Sequence, residues 1–178
     1  VKMAMEKTVF KWVHIPVDLA IPIQENESPV NTCLEDDTLR DEIRELLGWP
    51  GVDSTALTLP VERHGFIAVS LYSDVNAAQQ SVNTRAVSLC SAAGFARMDL
   101  HGDVCLSRYY DDDAAGGVAW LRKDLTAAEC TEKSDWIRAS AKDNAGRKTT
   151  PQSLSSLLSS SMGGGGGGGG ARAPPAVM

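Results

Sequence analysis

The chain of 178 residues is 43% hydrophobic and carries 23 Asp and Glu against 17 Lys and Arg, a net charge of −6. All the acid lies at or before Asp143, whereas residues 145–178 hold Arg147, Lys148, Arg172 and an unbroken glycine run from Gly163 to Gly170. The first 144 residues therefore carry 14 basic and 23 acidic side chains, a charge of −9 with no Lys/Arg cluster, which argues against a phosphate-neutralising surface for nucleic acid.

Taken in chain order, Thr8 to Ile15 is rich in β-branched and aromatic residues and closed by Pro16, which predicts a strand. Val9, Lys11, Val13 and Ile15 would share one face, and Thr8, Phe10, Trp12 and His14 the other. Three prolines and polar spacing residues from Pro16 to Thr32 predict an extended connection with little regular structure. Leu39, Ile43, Leu46 and Leu47 then fall on one helical stripe. Glu35-Asp36-Asp37 stands at the positive end of that helix, and Gly48 and Pro50 stop it.

Strands are expected over Thr55 to Pro60 and Gly65 to Tyr72, the second apolar on consecutive positions and therefore central. A second helix, capped by Ser73 or Asp74, would turn Val75, Ala78, Val82, Ala86, Leu89 and Ala93 inward and end at Gly94, with Phe95 as its following contact. A hairpin about His101-Gly102 would join Ala96 to Leu100 with Asp103 to Tyr109. Asp111 to Gly117 reads as a loop and Val118 to Leu121 as a short edge strand. Thr126-Ala127-Ala128-Glu129 has the capping-box pattern, so a third helix is expected to begin there, burying Cys130, Trp136, Ile137 and Ala141 and pairing Glu129 with Lys133.

This order predicts one α+β domain over 1–144, with a mixed or largely antiparallel sheet of about five strands and three helices covering at least one face. A disordered Ser/Gly/Pro-rich tail over 145–178 is expected to follow, because polyglycine carries the highest entropy cost of ordering.

The chemistry-bearing residues give no strong local motif. Nucleotide-binding glycine loops, a nucleophile elbow and a zinc-protease helix are all absent from the sequence. Cys33, Cys90, Cys105 and Cys130 are far apart, with no Cys-x-x-Cys pair, which disfavours a zinc ribbon or redox dithiol; all four are expected to be reduced. Asp111-Asp112-Asp113 fails the calcium-loop pattern, with Ala115 and Arg122 where oxygen ligands belong, and reads first as a solvated acidic turn. His101, Asp103 and Cys105 alternate, but His101 and Cys105 would lie about 13 Å apart on one strand, too far for a thiol–imidazole dyad. A base for Cys105 would have to come from elsewhere, such as His14 or His64.

No apolar run approaches the roughly 20 residues that cross a bilayer. The start, Val1 to Lys7, has neither an initiating Met nor the apolar core of a secretory signal and reads as a fragment or processed product. The leading expectation is an intracellular (cytoplasmic or nuclear) protein-interaction or adaptor module, without cofactor or metal. Arg108, Tyr109, Tyr110 and Trp120 are its candidate partner-binding residues, since Arg and aromatics dominate interface hot spots. The alternative is a metal-assisted hydrolase or transferase built on Asp103, Asp111 and Asp113, which requires those carboxylates to converge.

Overall fold

The computed structural model of the chain describes residues 9–29, 38–58, 68–95, 98–111 and 120–145. Within them six strands form one antiparallel sheet: β1 (Val9–Ile15), β2 (Gln24–Pro29), β3 (Val52–Thr58), β4 (Ala68–Asp74), β5 (Val104–Asp111) and β6 (Trp120–Lys123). Three α-helices accompany it: α1 (Thr38–Leu47), α2 (Thr84–Ala92) and α3 (Asp135–Asn144). The strand order is β2-β1-β5-β4-β3, with β6 also on β5.

β5 organises the sheet. β4 pairs with it from Val104 to Tyr109, while β1 takes Val104 to Leu106 and β6 takes Arg108 to Asp111. The chain after β6 then closes on β1, with Lys11 N donating to Asp124 Oδ1 at 2.8 Å and Leu125 N to Lys11 O at 2.9 Å.

Both faces of the sheet are covered, as strand alternation requires of apolar residues at consecutive positions. Val13, Ile15, Leu57, Leu71, Val104 and Leu106 pack with residues of α2 and α3 in one core. Phe10, Trp12, Val52, Tyr72 and Cys105 pack with Leu39 and Ile43 of α1 in a second.

Several elements differ from expectation. The segment read as an extended connection contains β2, a strand of sequence QENESP paired with β1 over six positions. Only Ser28 of this strand is buried, and its Oγ accepts from Trp12 Nε1 at 2.9 Å and donates to Glu42 of α1. β3 starts at Val52, earlier than Thr55, because the β3–β4 register runs from Val52 opposite Asp74.

The long second helix is two elements: a 3₁₀ turn over Ala77–Gln79, then α2 from Thr84. Val75 and Val82, expected inside, are 45% and 48% exposed. The break is made by Asn83, fully buried, whose Nδ2 donates to Ile15 O and Gly102 O at 2.9 Å while its Oδ1 accepts from Ala86 N at 3.0 Å as the helix cap. The exit of α2 matches expectation. Gly94 has φ +79°, Phe95 N donates to Cys90 O at 3.1 Å and Gly94 N to Ser91 O at 3.0 Å, the paired bonds of a Schellman ending.

The expected hairpin about Gly102 does not form. Leu100 O accepts from Asn83 N and Gly102 N donates to Ser81 O, both at 2.8 Å, so this stretch pairs with the entrance to α2 while β5 pairs elsewhere. Nor does the third helix start at Thr126. Residues Ala127–Glu129 make a 3₁₀ turn and α3 begins after Ser134; the Glu129 carboxylate is taken by Arg108 and by the Thr126 hydroxyl rather than by the Thr126 backbone N–H or Lys133. The expected tail beyond 145, Gly65 to Ile67 and the loop after Asp111 up to Gly117 lie outside the described residues.

Candidate functional site

The cross-strand register sets His14 of β1 opposite Cys105 of β5, so folding brings a distant imidazole beside that thiol. The arrangement is not a nucleophilic dyad. His14 Nε2 donates to Asp103 Oδ2 at 2.8 Å and Nδ1 lies 3.3 Å from the Gln24 side-chain amide, so both ring nitrogens face oxygen atoms. Cys105 is 0% exposed, and burial, followed by the charge of Asp103, pushes its thiol well above the usual 9.0. Burial therefore disfavours the thiolate and screens the sulfur from solvent, the opposite of what an activated nucleophile needs.

Asp103 is a structural acceptor, with its second oxygen taken by Val17 N at 2.9 Å. Asp111 ends β5, and Asp113 lies outside the described residues. Among the described residues no three His, Cys, Asp or Glu side chains are gathered as metal ligands.

Arg108 points into the α2/α3 side of the sheet and is 5% exposed. Its Nε and Nη2 donate to Asp124 O, Nη2 also reaches Glu129, and the guanidinium lies 5.9 Å from the Trp136 ring centroid. Burial lowers its pKa, with the neighbouring Glu129 acting in the opposite sense. The guanidinium thus ties β5 to the chain after β6 and to the approach to α3. Tyr109 and Tyr110 register with Arg122 and Leu121, and Trp120 with Asp111; the side chains of Tyr109, Tyr110 and Trp120 lie outside the described residues.

On the α1 side, Arg122 Nη1 donates to Ser107 Oγ at 2.9 Å and to Tyr72 OH at 3.3 Å, and the guanidinium lies 5.0 Å from the Phe10 centroid. Ser70 Oγ, next in that row of the sheet, is buried without a hydrogen-bond partner.

Among the described residues, the loop after β1 is held by a set of side-chain hydrogen bonds. Arg85 grips its backbone: Nη1 donates to Ile21 O and Nη2 to Asp18 O, both at 2.8 Å, and Nη2 also to Pro16 O. Internal bonds tighten the loop, with Ala20 N donating to Asp18 Oδ1 at 2.9 Å and Ile21 N to Asp18 O at 3.1 Å. The tip presents Leu19, 67% exposed, and Ile21, 40% exposed. Only the Pro16 and Pro22 brackets and the Asp18 turn could have signalled this from sequence; the clamp itself comes from a helix 64 residues further on.

An open groove of about 510 Å³ on α2 is lined by Val82, Thr84, Val87, Ser91, Ala92 and Glu132, with Val87 and Ala92 also packed against the larger core. Ser88 Oγ donates to Glu132 Oε1 across it at 2.8 Å. No family model, curated protein or solved structure matches this chain.

Proposed function

We propose that the chain is an intracellular protein-interaction module whose contact surface is the clamped loop bearing Leu19 and Ile21. The observation that carries this reading is that Arg85 bonds three loop carbonyls and thereby fixes two large apolar side chains in water. A plain connection needs no such rigidity. A docking tip does, because ordering a loop before contact removes that entropy cost from binding. The acidic background, −9 over the first 144 residues, and Asp18 in the loop select a partner with an apolar pocket rimmed by Lys or Arg. Three unbridged buried cysteines, Cys90, Cys105 and Cys130, suit a reducing compartment.

The test is affinity capture followed by calorimetry with each purified candidate partner. Leu19→Asp/Ile21→Asp should weaken binding by at least tenfold while leaving the melting temperature within about 2 °C. Arg85→Ala should weaken it less, through a slackened loop with both anchors still present. Undiminished affinity in the double Asp variant would remove the loop from the interface.

A further inference from the structure

We propose that His14 is a proton-controlled latch on the loop after β1, holding it tight when the ring is doubly protonated and slackening it when one proton leaves. The consequence for a partner rests on that loop being the contact surface. His14 and Gln24 are the last register pair of β1 and β2, so they form the neck from which residues 15–23 hang. The ring is 7% exposed and reaches toward both ends of the loop. At the entrance, Nε2 lies 2.8 Å from Asp103 Oδ2, and the other oxygen of that carboxylate accepts from Val17 N at 2.9 Å. At the exit, Nδ1 lies 3.3 Å from Gln24 Oε1.

Oxygen acceptors at both ring nitrogens favour the imidazolium, the form in which both nitrogens donate. Imidazole is also the side chain that ordinarily changes charge between about pH 5 and 8. The ionisable groups around it set the direction of the response. Among the described residues no Lys or Arg pairs with Asp103, so the ring is its counter-charge, and Asp74, one residue past the Ser73–Val104 pair, brings a second carboxylate to that end of the sheet. Cys105, opposite His14 in register, is held neutral by burial. With the ring charged, the bond to Asp103 is charge-assisted on both sides and fixes the carboxylate on Val17 N. When the Nδ1 proton leaves to solvent, Nε2–H still meets Asp103, but the counter-charge is gone and the Nδ1 lone pair faces Gln24 Oε1. The Gln24 carboxamide then turns over to offer its N–H, which makes it the two-position element of the latch.

Nitrogen NMR of the histidine rings in the full chain, from about pH 5 to 8 and with no partner present, tests this. His14→Gln assigns the His14 signals among the three histidines. The ring should pass from two bound protons to one, held at Nε2, and the Val17 amide and Gln24 carboxamide resonances should move with the same midpoint. Amide protection through 17–21, corrected for intrinsic exchange, should fall about three- to tenfold over that step. In His14→Gln the loop should become indifferent to pH over the range, although His101 remains. Gln24→Met, at the exposed start of β2, keeps the ring and Asp103 in place and should shrink the change in protection while the Val17 resonance still moves. A ring that keeps one charge state throughout overturns the proposal. So does a ring that titrates while Val17 and Gln24 stay still, or a loop equally pH-dependent without His14. The Leu19→Asp/Ile21→Asp variant removes the apolar tip and should leave the His14 titration as in the wild type, so failure of the contact surface and failure of the latch are read apart.

Discussion

Replacing Arg108 with Ala is expected to destabilise the domain by about 3–5 kcal/mol, the cost of breaking a buried charge pair from one side. The size follows from what the guanidinium touches. It is the donor for Asp124 O through two nitrogens, the counter-charge for Glu129 and the cation over the Trp136 ring at 5.9 Å. Charge-assisted bonds of this kind contribute about 1.5–3 kcal/mol each, and removing the side chain also opens a void beside Trp136. The figure stays below the sum because the Glu129 side chain is 35% exposed and rehydrates, and Thr126 Oγ1 remains 3.0 Å from its Oε1. Arg108→Met keeps most of the volume and should recover about 1–2 kcal/mol of the loss. Urea denaturation gives the readout: at a slope of about 2 kcal/mol/M the Ala variant should lower the midpoint by roughly 2 M with the slope unchanged. A double-mutant cycle with Glu129→Gln should return a coupling of about 1–3 kcal/mol. A loss under about 1 kcal/mol, or a coupling near zero, would refute the buried-clamp reasoning and restore Arg108 as a partner-facing residue.

Asn83→Ala should cost about 2–4 kcal/mol, since it strips the donor from two buried carbonyls, Ile15 O and Gly102 O, and uncaps Ala86 N; hydrogen exchange should quicken at Ala86 first. Gly94→Ala should cost about 2–4 kcal/mol in the same urea assay, because the residue sits at φ +79° and a Cβ there would lie 2.9 Å from Asn144 Cβ and 3.2 Å from Ala141 Cα. Burial pushes the Cys90 and Cys130 thiols up to about 12 from an ordinary 9.0, so in alkali the unfolded chain releases these protons before the folded one. Their contribution is complete below pH 9 and is lost as the pH rises toward about 12, at up to roughly 1.4 kcal/mol per pH unit per thiol; Cys90→Ala should flatten that slope, and an unaltered slope would contradict the burial.

Where local pattern and tertiary environment agree, the sequence was readable. β1 alternates apolar residues between two covered faces, α1 repeats them at helical spacing, and Gly94 ends α2 with the positive φ that only glycine adopts freely. β2 was invisible because QENESP has no apolar alternation to detect: it is an edge strand whose place is set by β1 and by the Trp12–Ser28–Glu42 chain of hydrogen bonds. The second helix misled because Val75, Ala78 and Val82 share the helical period by spacing alone. The side chain that breaks it bonds to Ile15, 68 residues away. The capping box at Thr126 failed for a similar reason, since Glu129 has a stronger partner in Arg108 than in a backbone N–H.

The candidate surface was hidden by the same nonlocality. Asp103 from the entrance to β5, Asn83 from the cap of α2 and Arg85 from its first turn all bond to the backbone of residues 15–21. None of these three side chains is near that segment in sequence, and none matches a motif. Together they supply donors and acceptors that a loop without regular secondary structure cannot supply to itself. This short segment therefore holds one shape, and Leu19 at its tip is exposed on a fixed frame rather than on a slack one. Weakening any of the three clamps should loosen the tip in proportion to the carbonyls released, so Arg85→Ala should raise amide exchange through 17–21 more than Asn83→Ala does, while Asn83→Ala costs more global stability. Equal effects on the loop would mean that its shape is set by Asp18 and the bracketing prolines alone, and the interface proposed on it would lose its rigid support.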